Sequence, residues 1–333
     1  MKIFLIVLIF LIFLSVEGVY IESWVPAYGI TKSETRLNTQ YGNYTMDQGL
    51  THLSLQFWIP DGSGGLDWTH QFESGKNGDD SSKVFVDWAN GKNVKVMLCV
   101  YNLNKDGSWD WELAKSGFET YRSTFINSLV DEVERLDLDG VDIDFETTES
   151  SKSEDRDSFV EFLKDLGEAL RAKGKDLFVN TFAYIWNAPN QDWWELMFEH
   201  VTGINSMGYN EIGRNGDTWS AYSFSKDAAG TNSTQLMLGM PGWVSTWKGD
   251  VTIDQLKWFE ENKEVGISIW DAQISDSSWQ TEQVWELIAS LKPDATPTPT
   301  PTPSSNQDTN GAHMNFTFSF TFCLLIFIAL LSF

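Results

Sequence analysis

Eight short β-rich apolar runs recur between residues 19 and 293, most of them separated by segments with helical spacing. The runs are Val19–Trp24, Leu53–Ile59, Val94–Tyr101, Gly140–Phe145, Leu177–Tyr184, Val201–Met207, Leu236–Met240 and Gly266–Trp270. Between them, Phe159, Phe162, Leu163, Leu166 and Leu170 fall on one helical stripe, and Val284, Leu287, Ile288 and Leu291 repeat it. Strands and helices alternating over about 250 residues predict an α/β fold of the closed (β/α)8 barrel type. An open doubly wound sheet would need a glycine-rich phosphate turn after its first strand, and Val25-Pro26-Ala27-Tyr28 is unlike one. The weakest helical signals follow the first strand and lie between Met207 and Leu236. Leu236–Met240 and Gly266–Trp270 are close in the chain, so a single domain with no large insertion between them is expected.

Both ends are read as addresses outside this domain. Residues 1–18 pair Lys2 with the apolar run Ile3–Leu14 and the small residue Gly18, the pattern of a secretory signal peptide; an N-terminal membrane anchor is the other reading. Residues 294–310 contain a Thr-Pro repeat and Ser304-Ser305, a stalk that cannot pack a core. Residues 311–333 form an apolar tail with no basic residue after it, the pattern of a glycosylphosphatidylinositol-anchor signal; a single-pass tail anchor is the other reading. A secreted protein tethered at the cell surface is expected either way. The sequons Asn43-Tyr44-Thr45 and Asn232-Ser233-Thr234 fit that compartment.

Composition removes several functional classes. With 47 acidic against 23 basic side chains the net charge is -24, so a nucleic-acid partner is not expected. Two cysteines, Cys99 and Cys323, cannot make a disulfide framework, and His52, His70, His200 and His313 form no HExxH pair. Neither a metal nor a cofactor is expected, and a monomer is.

The chemistry concentrates in Leu138-Asp139-Gly140-Val141-Asp142-Ile143-Asp144-Phe145-Glu146. Side chains alternate along a strand, so Asp142, Asp144 and Glu146 share one face while Val141, Ile143 and Phe145 share the other. If the apolar face meets the helices, the three carboxyls face the barrel interior toward the strand's C-terminal end. Like charges in a low-dielectric interior raise one another's pKa, and a carboxyl kept protonated there is what a general acid requires. An EF-hand-like calcium loop fits poorly, lacking its glycine and its acidic twelfth ligand.

At these residues the sequence resembles the family 18 glycoside hydrolases, whose Asp-Gly-x-Asp-x-Asp-x-Glu signature ends the fourth barrel strand. Asp139 to Glu146 match it throughout. Ser206-Met207-Gly208-Tyr209-Asn210 resembles the sixth-strand pattern, with Asn210 in place of the usual Asp. Gly266–Asp271 resembles the eighth strand, whose Trp floors the sugar subsite, and Tyr20, Trp24 and Phe57 resemble the aromatics of the first two strands. The resemblance implies hydrolysis of β-1,4-linked N-acetylglucosamine polymers such as chitin, with retention and without a protein nucleophile. Glu146 would be acid and base, Asp144 would orient the substrate acetamido group, Asp142 would share its proton, and Tyr209 would donate to the acetamido oxygen. Trp270, Met207, Asn210, Tyr20, Phe57 and Trp24 would bind sugar. Val96–Asn102 departs from the family's Ser-x-Gly-Gly, and the missing insertion implies a shallow groove. An endo-β-N-acetylglucosaminidase acting on N-glycans and a non-catalytic chitin-binding lectin are the alternatives; the intact Glu146 speaks against the lectin. Of the other tryptophans, Trp58, Trp186 and Trp243 stand at or just after strand ends, Trp109 and Trp111 are expected near the groove rim, and Trp193-Trp194 is read as packing.

Overall fold

The computed structural model describes residues 19–147, 153–183, 185–209, 218–242, 251–275 and 277–292. The expected signal segment, stalk and tail, together with Asn210 and Trp243, lie outside the described residues. In chain order the elements are β1 (Ile21–Pro26), α1 (Ile30–Leu37), β2 (His52–Pro60), β3 (Leu66–Trp68), α2 (Gly78–Ala89), β4 (Lys95–Tyr101), α3 (Trp111–Lys115), α4 (Arg122–Arg135) and β5 (Gly140–Asp144). There follow α5 (Arg156–Arg171), β6 (Asp176–Thr181), α6 (Trp194–Met197), β7 (Gly203–Ser206), α7 (Thr218–Ala229), β8 (Leu236–Pro241), α8 (Val251–Glu261), β9 (Gly266–Trp270) and α9 (Glu282–Leu291).

The sheet order β1-β9-β8-β7-β6-β5-β4-β2 closes through a further β1–β2 pairing, and every pairing around that ring is parallel. This is the (β/α)8 barrel that the alternation predicts. The short β3 is additional: it folds back antiparallel on the end of β2 after a Gly/Ser-rich loop, and three residues are too few to carry a periodic signal. The weakly signalled helices α1 and α7 are both present; α1 buries only Ile30, Ser33 and Leu37, which is why its stripe is faint.

Alternation along the strands sorts core from interior. Val141, Ile143 and Phe145 are fully buried in the layer between sheet and helices. Phe125 of α4 stacks against both Phe145 and Phe162 of α5, at centroid distances of 6.2 and 5.9 Å. Each such buried aromatic contributes roughly 2 to 3 kcal/mol by burial. On the inward face, Met97, Phe178 and Met237 form an apolar plug near the strands' N-terminal ends. Gly140 belongs to that face, and a Cβ there would lie 2.6 Å from Met97 Cε and 2.3 Å from the Asp176 carbonyl oxygen, so the plug requires glycine. Asp139 just before it is structural: its Oδ2 accepts the Val96 N–H at 2.8 Å, tying β5 to β4.

Two residues further along β4 and β6 the inward positions become polar, at Cys99 and Asn180. With Glu22, Ser54, Asp142 and Asn205 they make a buried polar tier above the plug. Beyond that tier the strand ends open into a pocket.

Candidate active site

The pocket, about 290 Å³, is lined at the strands' C-terminal ends by Trp24, Gln56, Asp144, Asn180, Pro241 and Trp270. Residues just beyond those ends complete it: Glu146, Phe182, Met207 and Tyr209, with Trp109 from the loop before α3. All eight barrel strands or their trailing loops therefore contribute to one cavity, the usual place for chemistry in this architecture.

Asp142 and Asp144 point inward from β5 as alternation requires. Asp142 is wholly buried and accepts N–H bonds from Trp24 Nε1 on Oδ2 and from Asn180 Nδ2 on Oδ1, both at 2.7 Å. Burial pushes its carboxyl up to about 6, while the Trp24 and Asn180 donors pull the other way. Asp144 accepts from Gln56 Nε2 at 2.9 Å on Oδ2, and its buried Oδ1 has no partner among the described residues. Burial and then the neighbouring Asp142 charge push Asp144 up to about 7. Asp142 has the more hydrogen-bond donors of the pair, which favours the negative charge there and a proton on Asp144.

Glu146 stands just past the end of β5, half-buried at the pocket wall. Burial, and then the Asp144 charge, hold it well above the ordinary carboxylate range, so it carries a proton near neutral pH. Its backbone is fixed by Asn102, which accepts the Glu146 N–H at 2.7 Å and donates to the Glu146 carbonyl at 2.8 Å. Tyr209 also keeps its proton, through burial first and then the charges of Asp144 and Glu146. Its ring lies over β8, where a Cβ on Gly239 would sit 2.6 Å from Tyr209 Cε1. Trp270 and Trp24 meet at the pocket floor with ring centroids 5.9 Å apart.

The structure thus brings Glu146, Asp144, Tyr209, Trp270, Met207 and Trp24 into one cavity, with Asp142 directly beneath. Two expected sugar-binding residues are elsewhere. Phe57 has the same parity as Leu53 and Leu55 and faces the helices, packed on Phe72 and on Phe85 of α2 at 5.2 and 6.4 Å. A register shift between Gln56 and Trp58 adds a second outward aromatic, and Trp58 donates from Nε1 to Glu132 of α4. Gln56 is the pocket residue of that strand. Tyr20 precedes β1 and so lies at the opposite end of the barrel, edge-on to His52 and Phe178 beside the apolar plug. Trp111 is not at the rim: it is buried and donates to Asp155 Oδ2 at 2.8 Å, whereas Trp109 does line the pocket. Trp193 and Trp194 are buried packing residues. Gln56, Asn180, Asn102, Phe182, Pro241 and the buried Glu22 carry no sequence pattern that singles them out.

A family model described as glycosyl hydrolases family 18 matches residues 19–313. Among solved structures, a chitinase from Chromobacterium violaceum superposes with a TM-score of 0.63 at 14% identity, covering 82% of this chain and 99% of that one. The spore cortex-lytic enzyme SleL of Bacillus cereus gives 0.62 at 13% identity, over 83% of this chain and 75% of that one. A Group IV chitinase from Ostrinia furnacalis, solved in complex with allosamidin, gives 0.60 at 13%, over 82% and 98%. At these identities the likeness is one of fold. No curated protein sequence matches the chain.

Proposed function

The chain belongs to the glycosyl hydrolases of family 18, and from that premise we propose that it hydrolyses β-1,4 linkages in N-acetylglucosamine polymers such as chitin by a retaining, substrate-assisted route. One observation carries the reading: a protonated Glu146, the Asp142–Asp144 pair and Tyr209 converge on a pocket floored by Trp270.

In this reading the indole of Trp270 meets the apolar C–H face of the sugar whose anomeric bond is cut. Glu146 gives its proton to the glycosidic oxygen as the leaving sugar departs. The substrate's own acetamido oxygen attacks the anomeric carbon, forming a cyclic oxazolinium and displacing the protonated leaving group. Asp144, once its proton has passed to Asp142, offers its unpartnered Oδ1 to the acetamido N–H and its charge to the positive charge that develops beside it. The Tyr209 hydroxyl donates to the acetamido oxygen. Water then opens the ring with Glu146 as base, which returns the proton to Glu146 and retains the anomeric configuration. A sugar with only a hydroxyl at the 2-position has no internal nucleophile and is not a substrate.

The test is direct. The barrel domain and its Glu146→Gln variant are incubated with N-acetylglucosamine oligomers and, separately, with a high-mannose glycopeptide. Cleavage of the oligomers with β-anomer formed first, abolished in the variant, is the expected outcome. First-formed α-anomer removes the substrate-assisted route, cleavage of the glycopeptide alone moves the substrate to N-glycans, and binding without cleavage leaves a lectin. The Thr-Pro stalk and apolar tail support the further proposal that the enzyme works outside the cell on a lipid anchor, which release by a phosphatidylinositol-specific phospholipase would test.

A further inference from the structure

The two Asn-x-Thr sequons stand in different surroundings. Asn43-Tyr44-Thr45 lies in the connection between α1 and β2, in a tight turn where Tyr41 and Tyr44 exchange backbone hydrogen bonds of 2.7 and 3.1 Å. Tyr41 is buried and stacks on Trp285 of α9 at 5.9 Å, which fixes the turn to the barrel's outer wall. Gly42 takes the left-handed conformation at φ 63°, and a Cβ there would lie 2.3 Å from Glu282 Cδ, so the turn requires glycine. Asn43 follows it, exposed. No residue from 38 to 51 lines the active-site pocket. Asn232, by contrast, is half-buried in the helical turn Gly230–Gln235, where Ser233 is buried and Gln235 donates to the Phe198 and Val201 carbonyls. Asn43 is the better placed of the two to carry a bulky hydrophilic group.

The side chain is held in a way that leaves it one hydrogen to give up. Its backbone N–H and its Nδ2 both donate to Glu282 Oε1, at 3.0 and 2.6 Å. Because one oxygen takes both, the Nδ2 hydrogen in use is the one turned toward the main chain. The second Nδ2 hydrogen lies on the Oδ1 side. A sugar attached to Nδ2 keeps the secondary amide trans and so takes that second position. The folded turn therefore accommodates a glycan without losing either bond to Glu282.

We propose that Asn43 is an N-glycosylation site, and that the glycosylated side chain keeps its clamp on Glu282, so that the glycan leaves the barrel wall outside the pocket. The proposal rests on the extracellular placement put forward above, because the transfer takes place in the secretory pathway. The co-reactant is an oligosaccharide on a lipid diphosphate. The bond from Nδ2 to the anomeric carbon of its first N-acetylglucosamine forms as the bond from that carbon to the diphosphate breaks; the Nδ2 proton is released and the lipid diphosphate departs.

The full chain is expressed in a eukaryotic secretory host, with and without an inhibitor of lipid-linked oligosaccharide synthesis. It carries Glu146→Gln so that no activity of its own trims the glycan. Peptide mass mapping is expected to find a glycan on Asn43, absent under the inhibitor, absent from the added variant Thr45→Ala and retained in Thr45→Ser. Protease protection of the membrane fraction reports the compartment. A chain that enters the secretory pathway with a bare Asn43 overturns the proposal alone, whereas a chain left in the cytosol overturns the extracellular placement and the proposal with it. Thermal unfolding reads the clamp. The glycosylated and unglycosylated chains are expected to melt within about 1 °C of each other. Asn43→Asp loses the amide donor and sets a second carboxyl against Glu282, so it should melt about 2 to 4 °C below the unglycosylated chain. A glycosylated chain that melts as low as Asn43→Asp would show that the sugar displaces the clamp, and an Asn43→Asp chain of unchanged Tm would show that Glu282 does not hold the amide; either result overturns the retained contact.

Discussion

Asn102 holds Glu146 by its backbone on both sides, its Oδ1 accepting the Glu146 N–H at 2.7 Å and its Nδ2 donating to the Glu146 carbonyl at 2.8 Å. The same amide donates to the Asp110 carbonyl at 3.0 Å and is wholly buried at the end of β4. Where many family members have a Ser-x-Gly-Gly run, this chain uses one asparagine side chain to fix the second residue beyond β5. Asn102→Ala leaves buried backbone groups unpaired and is expected to cost about 2 kcal/mol of stability. A displaced Glu146 should lower kcat by at least about tenfold. Urea denaturation and steady-state kinetics check the two effects separately; unchanged kcat in a destabilised variant would show that Glu146 finds its place without the clamp.

Gly239 is the second silent support. A methyl group there would lie 2.6 Å from Tyr209 Cε1 and 2.8 Å from the Ser206 carbonyl oxygen, so Gly239→Ala must push the Tyr209 ring off β8. The loss in kcat is expected to be about 10- to 100-fold, close to that of Tyr209→Phe. If both act through the same hydroxyl, the double variant is no worse than either single one. Additive losses would instead mean that Gly239 serves the barrel wall rather than the tyrosine.

Much of this site is legible in the sequence because β5 superimposes two patterns. Its period-2 apolar face announces a buried strand, and its carboxyls at the alternate positions can only face the interior. Phe57 and Tyr20 were equally open to that logic. Phe57 shares the parity of Leu53 and Leu55, and Tyr20 precedes its strand, so neither reaches a pocket at the C-terminal end. Glu22, Asn180, Gln56 and Asn102 are different. Each is a single polar residue in an apolar strand or at its end, and its meaning comes from partners on other strands, such as Asn205 for Glu22 and Asp142 for Asn180. No local spacing encodes those pairings.

The raised carboxyl of Asp144 makes a stability prediction with a definite sign. Its folded pKa, about 7, lies above its ordinary value of 3.8, so the folded state binds more protons between those limits. The contribution is full below about pH 4 and is lost as pH rises through about 7. Asp176, pulled down to about 2 mainly by its His52 and Lys95 partners against the opposing effect of burial, and His52, lowered by burial, act in the opposite direction. A difference measurement removes both. Asp144→Asn mimics the protonated carboxyl, so its Tm should match wild type at about pH 4 and exceed it at about pH 8. The gap is expected to be on the order of a few kcal/mol, since each pKa unit is worth about 1.4 kcal/mol. Calorimetry at the two pH values decides it, and a constant gap would mean that Asp144 is not the proton's site in the folded protein.

Trp24 and Trp270 lie across the pocket floor with ring centroids 5.9 Å apart, yet only Trp24 donates to Asp142. The indole Nε1 of Trp24 donates to Asp142 Oδ2 at 2.7 Å, while Trp270 offers a half-buried face to the cavity. Trp24→Phe keeps an aromatic surface and removes one donor from Asp142. The expected result is a kcat lowered about tenfold, KM within about twofold, and an ascending limb displaced upward, since a donor that lowers the Asp142 pKa is lost. Trp270→Ala removes the sugar platform and leaves the donors around Asp142 in place, so KM should rise about tenfold while the limb stays where it is. Kinetics of both variants across the pH range separate the roles. A Trp24→Phe variant that raises KM alone would make Trp24 a sugar platform as well and deny its indole N–H any part in placing the proton.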